Sequence, residues 1–216
     1  MMNIFTKTYS APPFDKCEIL RYSGTREVTA EIEALMEECL KEADGIFIYK
    51  VCYGIFPLSK NGDEVDLSFT KISSKSLSRW LENSHSYILF GATIGIELDR
   101  LISKYSRISP SKALMFQAIG TERIESLCDE FCRDMKEEFE NLAPRFSPGY
   151  GDFPLEIQKE IFTVLDPYRK IGLTLNESLV MSPSKSVTAI VGISDCNENG
   201  GHNCEKCNKP NCLFRR

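Results

Sequence analysis

The sequence predicts an α+β fold, in which helices pack on an antiparallel β-sheet. Apolar residues recur with the period of strands in some segments and with the period of helices in others, without the regular alternation of a parallel α/β fold. The 216 residues, 42% of them hydrophobic, are enough for one domain with a substantial core. From about Asp195 the composition changes to Cys, Asn, Gly and Lys. We therefore expect one domain over residues 1–194 and a small Cys-rich appendage over residues 195–216.

A helix and two strands are expected in the first third of the chain, after an irregular N-terminal stretch. Apolar residues at helical spacing predict a helix over residues 27–43, and Gly45 is the residue expected to stop it. Residues 46–56 are rich in β-branched and aromatic side chains, as buried strands are. After turn residues at 60–63, alternating apolar and polar residues over 65–70 predict a second strand, which we expect to pair with the first.

The rest of the chain is expected to contain two further strands and four helical segments. The strands are the apolar runs 87–93 and Ser186–Ile193. The helical segments are expected at residues 74–83, 95–105, 109–142 with a possible break at Gly120, and from Pro154 past Leu165.

The charge and hydropathy of the chain exclude several classes of partner. With 31 acidic and 26 basic residues, the net charge of −5 gives no electrostatic footprint for a phosphate backbone, so no nucleic-acid partner is expected. The longest apolar runs are too short to span a bilayer, and the first residues do not have the pattern of a signal peptide. We expect a cytoplasmic protein without a membrane partner.

A loop between two predicted helices, RFSPGYGDFP at residues 145–154, has the composition of a ligand-binding segment. Gly149 and Gly151 permit positive φ and close approach of a ligand, while the prolines restrict the loop. Arg145 could form a two-point pair with a carboxylate, and the ring of Tyr150 could face a cation such as a sulfonium, or an adenine. A tight interhelical turn, in which Arg145 caps the preceding helix, would account for the same composition.

Two runs, RFSPGYGDFPLEIQKEIFTVLD at 145–166 and KIGLTLNESLVMSPSKSVTAIVGI at 170–193, resemble the activation domain of cobalamin-dependent methionine synthase. That family carries an Arg-x-x-Pro-Gly-Tyr element, then a Leu-Thr-Glu-Ser-like segment, Met-x-Pro and Ser-Val. The resemblance covers roughly residues 90–193, and the N-terminal part is more similar to standalone short relatives of that domain. The matching positions are Arg145, Pro148, Gly149, Tyr150, Leu175, Glu177, Ser178, Met181, Pro183, Ser186 and Val187.

The resemblance implies that the protein binds S-adenosylmethionine and presents its methyl group to the cobalamin of a partner. In the family, methionine synthase that has stalled with cob(II)alamin is rescued by one electron and this methyl group. The implied partners are cobalamin-dependent methionine synthase or another corrinoid protein, with flavodoxin or ferredoxin as electron donor. The implied function is that of a standalone reactivation protein within this methyltransferase system.

The resemblance also implies roles for individual residues. Arg145 would pair with the methionyl carboxylate, and Tyr150 would lie along the nucleoside or the sulfonium. The backbone around Ser147 and Gly149 would receive polar edges of the ligand. Glu125, on the helix before the loop, would accept hydrogen bonds from the ammonium or the hydroxyls.

The family also uses an acidic residue near its N-terminus, which has no assigned match in this chain, and a second departure follows the last strand. The family has a tyrosine after the last strand, where this chain continues with Ser194-Asp195-Cys196. A non-catalytic accessory module that docks on a corrinoid protein without delivering methyl therefore stays open as an alternative.

The C-terminal cysteines are the second candidate site. Four of the nine cysteines lie within 17 residues at the C-terminus, in a segment with few apolar side chains to bury them. Such thiolates suit zinc or an iron–sulfur cluster, and the alternative is a disordered, reduced tail. With a cluster, a small iron–sulfur electron-transfer protein is a third functional possibility. The expected ligands are Cys196, Cys204, Cys207 and Cys212.

Overall fold

A computed structural model describes residues 3–195. The strands are β1 Phe5–Tyr9, β2 Tyr49–Pro57, β3 Ser59–Asn61, β4 Glu64–Asp66, β5 Lys71–Ser73, β6 Ser86–Thr93, β7 Thr174–Leu175, β8 Met181–Ser182 and β9 Ser186–Ile193. The α-helices are α1 Lys16–Tyr22, α2 Ala30–Glu42, α3 Lys75–Trp80, α4 Glu97–Ile108, α5 Pro110–Glu138, α6 Gln158–Leu165 and α7 Pro167–Ile171. A short 3-10 helix, Leu155–Ile157, precedes α6.

The central sheet has the strand order β1-β2-β6-β9, and all of its neighbouring strands are antiparallel. Strands β6 and β9 are apolar on both faces because both faces are covered. Phe90 and Ala189 pack with α2 and α5 in the larger core, whereas Leu89 and Ile190 belong to a second core with α3 and α6. The predicted α+β fold with an antiparallel sheet is confirmed.

The pairing of the first two predicted strands is wrong. Strand β2 pairs with β1 and β6, and the segment predicted at 65–70 contributes only the short strand β4. Strand β4 forms a separate three-stranded sheet with β3 and β5. The physical reason is that the turn at 60–63 joins two three-residue strands and does not return the chain onto β2, which is already paired on both sides.

The N-terminal stretch is not irregular, contrary to the prediction. Strand β1 pairs with β2 at the sheet edge, from Phe5 opposite Tyr53 to Tyr9 opposite Tyr49. Helix α1 begins after Asp15, whose side chain accepts a hydrogen bond from the backbone amide of Glu18. The helix also contacts α5, so the first 22 residues contribute one strand to the central sheet and one helix to the layer that covers it.

Helix α5 runs through Gly120 without a break, and it ends at Glu138 rather than near residue 142. A Cβ atom at Gly120 would lie 2.3 Å from Leu98 Cδ2, so the glycine allows α4 to pack closely and does not interrupt the helix. Beyond the helix, the chain turns to run beside β9, where Leu142 bridges to Ile193 and Phe146 to Ile190.

The predicted metal ligands Cys196, Cys204, Cys207 and Cys212 lie outside the described residues, and so does nearly all of the predicted appendage at 195–216. The metal site and the domain boundary stay predictions. None of the helices within residues 3–195 has the length and hydropathy needed to cross a bilayer.

Candidate functional site

Arg145 lies on the segment that runs beside β9. The amide of Phe146 donates to the carbonyl of Ile190 (2.9 Å) and the amide of Ile190 donates back to Phe146 (2.8 Å), so the chain here is held like a further strand. Side chains alternate along extended backbone, which separates Arg145 from its neighbour. Phe146 stacks between Trp80 and Phe153 on one side, whereas Arg145 reaches α5 on the other.

Two carboxylates of α5 hold the Arg145 guanidinium. One terminal nitrogen donates to Glu125 Oε2 (2.9 Å) and the other to Asp129 Oδ1 (2.5 Å). The two acids are one helical turn apart, so they face the same partner. Burial lowers the pKa of Arg145, but the negative charges around it outweigh burial and raise the pKa above its ordinary value. Arg145 is therefore a fixed positive charge.

Next to this pair, α1 and α5 enclose an acidic cleft of about 260 Å³. Five carboxylates line the cleft, and three arginines form ion pairs with members of this set. Arg21 pairs with Glu18, Arg123 pairs with Glu122, and Arg145 pairs with Glu125. The cleft therefore carries an excess of negative charge. It is lined by Asp15, Glu18, Tyr22, Glu122, Glu125, Ser126 and Asp129.

A buried ion pair forms the base of this cleft. Arg123 has no exposed surface, and its Nε donates to Glu122 Oε2 (2.5 Å). Its terminal nitrogens donate to the carbonyls of Pro12 (2.5 Å) and Pro13 (2.8 Å). Glu122 also accepts from the Ser126 hydroxyl (2.7 Å). The pair thus fixes the N-terminal segment against α5 and determines the shape of the cleft.

Sequence reasoning did not predict this ion pair. Arg123 lies one turn from both Ile119 and Leu127, which are buried, so the apolar stripe of α5 is interrupted by a charge. That interruption is the signal that could have identified it, because a charged residue in a buried stripe requires a charged partner.

The turn after Arg145 uses its glycines for backbone geometry. Gly149 and Gly151 have φ values of +89° and +59°. The amide of Gly149 donates to the carbonyl of Phe153 (2.9 Å), and the amide of Tyr150 donates to that of Ser147 (3.3 Å). A Cβ atom at Gly151 would lie 2.5 Å from Ser76 Oγ. These two amides are therefore already used within the turn.

Tyr150 points outward from this turn, with 59% of its surface exposed. Ser147, Gly149 and Tyr150 follow Arg145 within five residues along the chain. The exposed ring is available to a ligand. The contacts of these three residues with a ligand stay predictions.

Asp152 anchors the turn to the start of α3. Its carboxylate accepts hydrogen bonds from the Ser74 hydroxyl (2.6 Å) and from the amides of Lys75 (2.8 Å) and Ser76 (3.0 Å). The Ser74 and Ser76 donors hold the pKa of this carboxyl well below its usual range. The turn is thus fastened to a helix N-terminus by one ionised side chain.

Asp152→Asn is expected to lower the midpoint of thermal unfolding at pH 7, because an amide accepts these hydrogen bonds more weakly than a carboxylate. Since folding lowers the pKa, the contribution of Asp152 is complete above its ordinary value of about 4 and is lost as the pH falls toward the folded-state pKa. The difference in midpoint between wild type and variant, measured from pH 7 to pH 3, should therefore shrink with acid. A constant difference would contradict this role.

Within residues 3–195, no group of three or more His, Cys, Asp or Glu side chains is arranged to hold a metal ion. Cys128 and Cys132 lie one turn apart on α5, and burial raises the pKa of both thiols. Cys128 is fully buried in the larger core. These two cysteines therefore fill the inner face of the helix.

Comparison with solved structures identifies a related fold. The crystal structure of the MetH reactivation domain bound to AdoHcy superposes with a TM-score of 0.64, at 15% sequence identity, over 89% of this chain and 78% of that chain. No family model matches the sequence, and no curated protein matches it. At this identity the similarity establishes the fold alone.

Proposed function

We propose that this protein reactivates cobalamin-dependent methionine synthase or another corrinoid protein. It binds S-adenosylmethionine at the Arg145–Glu125 pair and supports reductive methylation of the partner's cob(II)alamin, with flavodoxin or ferredoxin as electron donor. The observation that carries the proposal is Arg145, held at the edge of an acidic cleft by Glu125 and Asp129. The fold shared with a MetH reactivation domain that was crystallised with AdoHcy supports it.

The charges of the site fit this ligand. S-adenosylmethionine carries a carboxylate, an ammonium and a sulfonium, a net charge of +1. Arg145 can pair with the carboxylate, and Glu125 can accept from the ammonium. The excess of negative charge in the cleft favours the sulfonium cation. Each charge of the ligand therefore has an opposite partner among residues of this chain.

The sulfonium supplies an activated methyl group, so the protein's own task is positioning. Arg145 and Glu125 fix the amino-acid end, because both are held by contacts with neighbouring elements before a ligand arrives. Tyr150 is exposed, so its ring is available to the cation. The proposed transfer requires no acid, base or nucleophile from this chain.

Calorimetric titration tests the binding step. We expect S-adenosylmethionine to bind more tightly than S-adenosylhomocysteine, because the thioether lacks the positive charge that the cleft attracts. The ratio of the two affinities should fall when the salt concentration is raised from about 0.05 to 0.5 M, since salt screens this attraction. Absence of binding heat with millimolar S-adenosylmethionine would count against the proposal.

A turnover assay separates the proposal from the accessory-module alternative. That alternative is favoured by one observation, the Ser194-Asp195 sequence after β9 where the family has a tyrosine. The assay combines the inactive cob(II)alamin form of the synthase, a reductant and this protein, with or without S-adenosylmethionine. Recovery that requires S-adenosylmethionine supports the proposal, whereas recovery without it supports the accessory module.

A further inference from the structure

Both terminal nitrogens of Arg145 are engaged in the unliganded site. Each of its two terminal nitrogens donates to a different carboxylate, one to Glu125 and the other to Asp129. The outer edge of a guanidinium binds a carboxylate at two points through both of these nitrogens. A ligand carboxylate that takes this edge must displace one of the two acids from Arg145.

The surroundings indicate which acid leaves. The side chain of Asp129 is 49% exposed, compared with 37% for Glu125. Asp129 also borders a second cleft, of about 630 Å³, between the N-terminal segment and α5, so its carboxylate has open space to turn into. Glu125 lies on the side of Tyr22, where burial and then the charge of Glu125 raise the pKa of the phenol. Asp129 is thus the less restrained partner.

We infer that Asp129 is an internal competitor for Arg145, which it must release when the carboxylate of the amino-acid ligand binds. This inference rests on the proposed function. In the resting site, Asp129 keeps the guanidinium paired and oriented toward the cleft. On binding, the ligand carboxylate replaces it, and the affinity that is measured is the difference between the two ion pairs. Asp129 therefore lowers the affinity for carboxylate-bearing ligands.

The test compares two ligands with Asp129→Asn, which keeps the shape of the side chain and removes its charge. The ligands are S-adenosylmethionine and its decarboxylated analogue, which keeps the ammonium and the sulfonium. We expect the variant to bind S-adenosylmethionine about five-fold more tightly, the scale of a solvent-exposed ion pair. The decarboxylated analogue should bind the variant more weakly than wild type. The variant lacks the negative charge that attracts the analogue, and the analogue has no carboxylate to pair with the released guanidinium.

Glu130→Gln is the matched control. It removes the same charge from the adjacent position of α5, where the side chain pairs with Arg133 and not with Arg145. This control should show no gain for either ligand. A structural effect of Asp129→Asn would change the affinity for both ligands in the same direction, so opposite changes identify competition.

The outcomes separate this inference from the proposed function. If wild type binds S-adenosylmethionine and Asp129→Asn binds it equally or more weakly, the inference is overturned and the proposed function stands. An equal gain for both ligands also overturns it. If wild type and Asp129→Asn both fail to bind S-adenosylmethionine at millimolar concentration, the proposed function fails and the inference fails with it.

Discussion

Replacing Arg145 by alanine is expected to weaken binding of S-adenosylmethionine by roughly 100-fold or more, the scale measured when one partner of a desolvated charge pair is removed. The guanidinium is the positive charge at the edge of the cleft that is best placed for the ligand carboxylate, and 21% of its side chain is exposed. Without it, Glu125 and Asp129 would repel the carboxylate. Calorimetric titration of wild type and variant measures the loss.

Arg133→Ala is the control for this experiment. Arg133 also lies in this part of the fold, on α5, but it pairs with Glu130 and does not contact Arg145. Its replacement should leave the affinity nearly unchanged. Arg145→Ala should also destabilise the fold slightly, by about 0.5 kcal/mol, because two like charges one turn apart lose their shared partner. An Arg145→Ala variant that folds and binds as wild type does would refute the assignment of the site.

Arg123→Met is expected to lower the free energy of unfolding by about 3–5 kcal/mol, the cost of leaving a buried charge without its partner. The side chain of Glu122 is only 2% exposed, and Arg123 neutralises it. The carbonyls of Pro12 and Pro13 would lose their donors at the same time. Urea denaturation monitored by the fluorescence of the single tryptophan, Trp80, measures the change.

A double variant keeps this prediction testable if Arg123→Met does not fold. Adding Glu122→Gln removes the uncompensated charge, so the double variant should be more stable than Arg123→Met alone. Arg133→Met serves as an exposed control and should change the stability by less than about 0.5 kcal/mol. If the double variant is less stable than the single one, the isolated charge of Glu122 is not the cause of the loss.

The elements that could be predicted from the sequence are those whose burial gives a strong local period. Helix α2 and strands β2, β6 and β9 fall within the predicted ranges to a few residues because their apolar faces are continuous. Strand β1 lies at an edge and its Phe5 is 47% exposed, so the alternation of buried and exposed residues that marks a strand is weak here. Its partner β2 is some 40 residues away, and no local pattern encodes that pairing.

In the candidate site, too, some residues could be predicted from the sequence and others could not. The resemblance implied Glu125 and Arg145, and the structure brings them within 2.9 Å although 20 residues separate them. Asp129, Asp15 and Glu18 were not predicted, because acidic residues on exposed helix surfaces are common and only the tertiary fold gathers these into one cleft. The four C-terminal cysteines show a clear spacing pattern, and their metal site stays a prediction.

The backbone pairing between β9 and the segment that carries Arg145 has a consequence for solubility. An unpaired outer strand offers free amides and carbonyls to which another chain can add, and β9 would be such a strand. Amides of Ala143 and Phe146 donate to its carbonyls, so the segment closes that side. Mutations that detach this segment would therefore promote aggregation as well as loss of the site. Selection against aggregation alone would then preserve the backbone geometry on which the proposed ligand recognition depends.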